Sequence, residues 1–222
     1  IPKIRRPKEG AQMMVCQLIG QAARLNFTVG FTKENGIQGA PECASIWGLM
    51  DEGVMKESSH FNGVWFDTDE AAADHQHKLT FLGHKYEALA FSPLASKRFE
   101  PDVCAFYGTP EQMMFVMCAL QFKKHELMEM TFVGESACSD SFVKAMATGK
   151  PCLSVPCYGE RRYGGAQESD MVCALPPAYM PVLLEGLACL NKNGLRYPIA
   201  YYGLDRDLSE GLGKSYDFAK KS

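Results

Sequence analysis

Residues 103–122 read VCAFYGTPEQMMFVMCALQF, and the junction at Gly108-Thr109 decides the class of the fold. The run 103–107 is apolar and aromatic, of strand length. Thr109-Pro110-Glu111-Gln112 then carries the start signals of a helix: an N-cap Thr, Pro at the first helical position and Gln three residues after the cap. The Thr hydroxyl and the Gln amide can each satisfy a backbone N–H that has no partner inside the helix. The helix runs to about Phe122, with Met113, Met114, Phe115, Met117 and Leu120 on its apolar side. A strand that passes directly into a capped helix calls for a mixed α and β architecture.

Working outward, apolar spacing predicts a helix over 11–25, through Met14, Val15, Leu18, Ile19 and Ala22. Further helices are predicted over 42–50, from a cap at Thr68 or Asp69, before Gly149, and over 179–190 with Asn193-Gly194 as the stop. Strands are predicted over 27–31, 86–91, 103–107, 130–133, 152–155 and 171–175. The stretch 33–41 and the polar stretch after Pro156-Cys157-Tyr158-Gly159 read as loops. No repeat, low-complexity tract or linker interrupts the pattern. The expected fold is α+β (mixed α/β), a single compact domain over 1–222 with a central mixed sheet flanked by helices. Its core spans about 11–198, and a C-terminal tail follows on the surface.

Composition excludes several classes. The 23 Lys and Arg against 26 Asp and Glu leave a formal net charge of −3, so nothing electrostatic points to nucleic acid. Hydrophobic residues at 46% and charged residues at 22% match an ordinary globular chain and argue against disorder throughout. No apolar stretch reaches the roughly 18 residues of a membrane span. The cysteines number nine, an odd count with no C-x-x-C pair, so a complete set of internal disulfides is excluded. Free thiols persist in a reducing cytoplasm, which is the expected location. The first residue, Ile1 rather than Met, keeps export open as the alternative.

Four of the cysteines stand out, three near predicted helix starts and one at a strand exit. Cys16 lies in the first turns of the first helix, and Cys43 opens the next. Cys138 follows Gly134-Glu135-Ser136, and Cys157 sits at the exit of a strand. A helix N-terminus carries partial positive charge and favours a thiolate. Four thiolates from separate segments can bind a [4Fe–4S] cluster or a tetrahedral Zn²⁺, although their spacing matches no local ferredoxin or zinc-finger pattern. The plain alternative is that they pack as small hydrophobes, as Cys104, Cys118, Cys173 and Cys189 in apolar runs are expected to do.

Beside Cys157, Gly159-Glu160-Arg161-Arg162 places two guanidiniums in a glycine-flanked loop. Arg161 can clamp a carboxylate or phosphate, or stabilise a negative cluster, with Gly159 giving close access. A solvated ion pair with Glu160 or Glu168 is the plain alternative. Asp74-His75-Gln76-His77 ends a predicted helix, where histidines favour the dipole more simply than they bind metal. There is no G-x-G-x-x-G after a strand, Walker loop, G-x-S-x-G or H-E-x-x-H.

Several stretches together resemble one family. They are Pro101-Asp102-Val103 with Pro110 and Gln112-Met113, Gly134-Glu135-Ser136-Ala137-Cys138, Ser154-Val155-Pro156-Cys157-Tyr158-Gly159-Glu160-Arg161, and Tyr197-Pro198. The set is similar to the family called domain of unknown function 169, over about 16–198. The resemblance carries no established activity. It does imply a Cys in the first helix, one near the following loop, one after the Gly-Glu segment and one in the Pro-Cys element. These fall here on Cys16, Cys43, Cys138 and Cys157. Cys104 stands where the family more usually has an aliphatic residue, as expected of a packing residue.

Three functions follow as expectations. The first is a metal-thiolate protein with a [4Fe–4S] cluster, zinc being the alternative metal, in an accessory redox or electron-transfer role with a redox partner protein. The second is a thiol-dependent enzyme or small-anion binding protein that uses Cys157 or Cys138 with Arg161. The third is a non-catalytic assembly subunit that forms a homo-oligomer.

Overall fold

The structure is a computed structural model that describes residues 13–33, 41–83, 86–205 and 207. In chain order its elements are α1 (Val15–Leu25), β1 (Val29–Thr32), α2 (Pro41–Ile46), α3 (Gly53–Lys56), α4 (Asp69–His77), β2 (Ala88–Phe91), β3 (Cys104–Gly108) and α5 (Pro110–Lys124). A π-turn (Ser139–Val143) then leads into α6 (Lys144–Thr148), followed by β4 (Cys152–Ser154), α7 (Tyr158–Arg162), β5 (Met171–Leu175) and α8 (Tyr179–Lys192). The class is mixed α+β. Among the described residues the strands divide between two small sheets, where one central sheet was expected. One is the antiparallel pair β1–β2, with Val29 opposite Phe91. The other has the order β3-β5-β4, with β4 and β5 antiparallel and Leu153 opposite Cys173. Strands of three to five residues make short ladders, and each sheet is completed by helices rather than by more strands.

The chain forms two compact units, one of residues 1–107 and 129–177, the other of 108–128 and 178–222. In the first, α1 buries Val15, Leu18, Ile19 and Ala22, the i, i+3, i+4, i+7 face that its spacing predicts. The aromatic centre of this core is Trp47. Its ring meets Phe91 edge-on at 5.7 Å and Phe142 at 5.6 Å. In the second unit, α5 starts at the expected capping box. Thr109 Oγ1 accepts from Gln112 N, and Gln112 Oε1 accepts from Thr109 N. Helices α5 and α8 pack closely, because a side chain on Gly186 would come within 2.3 Å of the Ala119 carbonyl oxygen.

Two sequence expectations are corrected. Residues 130–133 form no strand. Met130 and Phe132 are exposed and only Val133 is buried, so the segment has no face to pair. The stretch after Cys157, expected to be a loop, begins with α7. Residues 11–12 of the first predicted helix, most of the 33–41 loop, and the tail beyond 207 lie outside the described residues. Among the described residues no helix is long and apolar enough to cross a membrane.

One contact places α1 against the segment that follows Cys157. A Cβ on Gly20 would stand 2.3 Å from the Gly164 carbonyl oxygen, and one on Gly164 would stand 2.8 Å from the Cys16 carbonyl oxygen. Only two glycines allow backbone to meet backbone in this way. Gly20→Ala tests the contact. Helix propensity alone would favour Ala by about 1 kcal/mol, whereas the forced separation costs about 1–3 kcal/mol. The expected result is a lower urea midpoint, and a higher one would show that the close approach is not needed.

Candidate functional site

The four cysteines singled out above come together in the first unit. Cys16 is the second residue of α1, Cys43 the third of α2, Cys138 directly precedes the π-turn, and Cys157 is the N-cap of α7. Every pair among them is within electrostatic reach: Cys43 and Cys157 raise Cys16, Cys157 raises Cys43, and all three raise Cys138. Cys157 is buried and the other three are partly buried. All nine cysteines are free thiols. Cys104, Cys152 and Cys173 lie in the strands β3, β4 and β5, and Cys118 and Cys189 lie in α5 and α8.

Local structure explains how each sulfur is held. Helix α7 starts at a capping box of unusual chemistry. Cys157 stands in the N-cap position, and the Glu160 carboxylate returns to accept the Cys157 backbone N–H at 3.3 Å. The Cys157 sulfur is itself surrounded by the backbone N–H groups of Ala137, Gly159 and Glu160, which favour its ionised form. The Cys16 Sγ donates to the Gly159 carbonyl oxygen at 3.4 Å. Cys138 leads into a π-turn pinned from outside, where Ser139 Oγ accepts from Thr80 N at 2.7 Å and donates to Thr80 O at 3.0 Å. A π-turn inserted in a helix re-aims side chains and is frequent at functional sites.

Gly159 lies between two of the sulfurs. A Cβ there would be 3.8 Å from Cys157 Sγ and 4.0 Å from Cys16 Sγ, ordinary contact distances with no clash. Its φ is not in the left-handed region. Neither backbone strain nor steric conflict therefore requires a glycine here, unlike at Gly20, Gly164 and Gly186. What the missing side chain leaves is space in front of the two sulfurs.

Glu160, only 2% exposed, is the acidic group of the site. Its second oxygen accepts from the Tyr107 hydroxyl at 3.0 Å. Burial pushes the Glu160 carboxyl up, while the Tyr107 hydroxyl and the Cys157 N–H hold it down. Burial and the adjacent Glu160 raise Tyr107 well above the usual phenol range. Glu160 also raises all four thiols. The sequence reading raised Glu160 only as an alternative ion-pair partner of the arginines and did not single out Tyr107. The available signal was Cys157-x-x-Glu160, which has the spacing of a Ser/Thr-x-x-Glu capping box.

Arg161 commits two of its five donors to backbone carbonyls. Its Nε donates to Pro156 O at 3.0 Å, and one terminal nitrogen donates to Gln167 O at 2.6 Å. It braces the loop after α7, which Arg24 and Asp170 also tie down with a 2.5 Å ion pair. His75 and His77 diverge. His75 lies 2.7 Å from Glu135, and His77 bonds the Ala73 carbonyl at 2.7 Å.

The positive helix ends were expected to favour thiolates. In the metal-free protein, burial outweighs that effect. Cys43 is pushed up to about 12, and Cys16 and Cys138 rise well above the usual thiol range, all chiefly through burial and then mutual repulsion. Among the described residues, no three Cys, His, Asp or Glu side chains are gathered as one metal ion would need.

A pH dependence follows. In the unfolded chain a thiol loses its proton near pH 8.5, but folded Cys43 and Cys173 hold theirs to about 12. The folded state therefore binds more protons over that interval, and stability falls as pH rises through it. Urea titrations of metal-free protein should show constant stability below about pH 8 and a progressive loss above pH 9. A curve that stays flat to pH 11 would contradict the buried, protonated state.

No solved structure matches this chain. A sequence relative, the uncharacterised protein MJ0308 of Methanocaldococcus jannaschii, is 25% identical over 123 residues, which cover 55% of this chain and 53% of the relative. The chain thus spans about half the length of the curated relative it matches. The model of the DUF169 family, described as an uncharacterised ArCR, matches residues 1–186, a stretch that includes all four clustered cysteines. The chain belongs to the DUF169 family.

Proposed function

We propose that Cys16, Cys43, Cys138 and Cys157 hold a [4Fe–4S] cluster and that the protein has an accessory redox or electron-transfer role. The observation that carries this reading is the meeting of four thiols from four separate segments, each within electrostatic reach of the other three. Protonated, the four thiols pack as small hydrophobes, but ionising them together is costly. A cationic iron–sulfur core removes that cost, because each sulfur then binds as a thiolate.

Two features of the chain support the cluster reading. The space at Gly159 lies in front of Cys16 and Cys157, where a bulky inorganic group would sit. The backbone N–H groups around Cys157 Sγ supply hydrogen bonds of the kind that tune cluster potential.

When bound, such a cluster supplies one-electron transfer. The chain's own residues set its conditions. The apolar surroundings limit water, Glu160 places a carboxyl beside the sulfurs, and Tyr107 fixes that carboxyl by a hydrogen bond. An electron-transfer role requires a redox partner protein. The thiol-enzyme alternative is less well supported, because the thiols are raised rather than lowered and Arg161 spends donors on backbone carbonyls.

Anaerobic purification followed by iron, zinc and acid-labile sulfide assays tests the reading. Iron and sulfide in equal amounts, with broad visible absorption, are expected. Cys138→Ser and Cys157→Ser should lose both. Gly159→Ala should retain the fold, with stability unchanged or raised by up to about 1 kcal/mol, but should lose most of the iron. Zinc without sulfide, or full iron in the serine variants, would overturn the assignment.

A further inference from the structure

A cavity of about 730 Å³ opens in the first unit beside β2 and β3, and nothing in the proposed electron-transfer reading uses it. The volume falls within the roughly 300–1,000 Å³ of small-molecule sites. Its walls include Trp47, Phe91 and Phe142, the three rings that form the aromatic centre of the core. Tyr107 forms a further part of the wall, with the Arg24 guanidinium 5.6 Å from its ring centre. The charges along the cavity are largely satisfied. Arg24 is paired with Asp170 at 2.5 Å, Lys97 with Glu100 at 2.7 Å, and Asp102 is exposed to solvent. Apolar and aromatic walls with neutralised charges favour a flat ring system over an ion.

We propose that this cavity binds an uncharged, flat, ring-containing small molecule. Tyr107 is the side chain common to the cavity and the cysteine site. Its residue lines the cavity while its hydroxyl bonds Glu160, the carboxyl that also holds the Cys157 backbone. Ile19 lines the cavity one helical turn after Cys16, on the same face of α1. An occupant would therefore be linked to the Cys157 backbone through Tyr107 and Glu160. What that link does for a cluster rests on the four-thiol reading, whereas binding itself does not.

Metal-free protein carrying Trp65→Phe, in which Trp47 is the sole indole, gives a direct readout. It is titrated with lumiflavin and, separately, with duroquinone, both neutral and flat. Saturable quenching of Trp47 at one equivalent by at least one probe is expected. Ala105→Leu and Ala105→Phe fill the cavity from the face of β3 that also carries Tyr107. Each variant that retains its urea midpoint should weaken binding at least tenfold. Absence of saturable quenching with both probes, or unchanged binding in a folded filled variant, would overturn the proposal. Probe binding in a protein that takes up no iron would count against the cluster alone.

Discussion

The site depends on a contact between two stretches of backbone. Helix α1 can carry Cys16 to Gly159 only because Gly20 and Gly164 have no side chains to hold the two segments apart. The segment after Cys157 is in turn held in shape by Arg161 on Pro156 and Gln167, and by the Arg24–Asp170 pair reaching from the end of α1. Arg161, read in the sequence as an anion clamp, also acts as a brace here. These contacts fix the turn that presents Cys157, and α1 seats against it.

The electrostatics of the assembled site are one-sided. Helix starts and three backbone N–H groups favour negative charge, but burial opposes it, and a buried carboxyl already stands among the sulfurs. Without a counter-charge the balance falls to the protonated thiols. With one, the same arrangement becomes favourable, since every donor that cannot outweigh burial alone then adds to the attraction.

Much of the fold could be read from short-range pattern. The Thr109 capping box, the buried face of α1, the Thr68 cap of α4 and five of the strands are local signals, and the structure contains them. Two misreadings also have local causes. Residues 130–133 have strand-like composition but no partner to pair with. Helix α7 is five residues long and is capped by a sulfur where an oxygen would be recognised. The positions of Cys16, Cys43 and Cys138 near helix starts were legible, but that of Cys157 at the start of α7 and the meeting of all four were not. That meeting depends on Gly20 and Gly164, whose role appears only when α1 and α7 are seen side by side. Glu160 and Tyr107 were missed for the same reason, because their pairing spans 53 positions in the chain.

The path of the chain sets an order of events. The first unit is discontinuous: the chain leaves it at 108 to form α5 and returns at 129. Cys16 and Cys43 precede this excursion, and Cys138 and Cys157 follow it. During synthesis the first two thiols emerge long before their neighbours exist. The four thiols can meet only after α7 has been made, so a group held by all four could be bound only by a chain synthesised past that point. Sites built on adjacent cysteines can capture their cargo early and fold around it. Here early capture by all four is closed to the chain, because Cys157 is made last of the four.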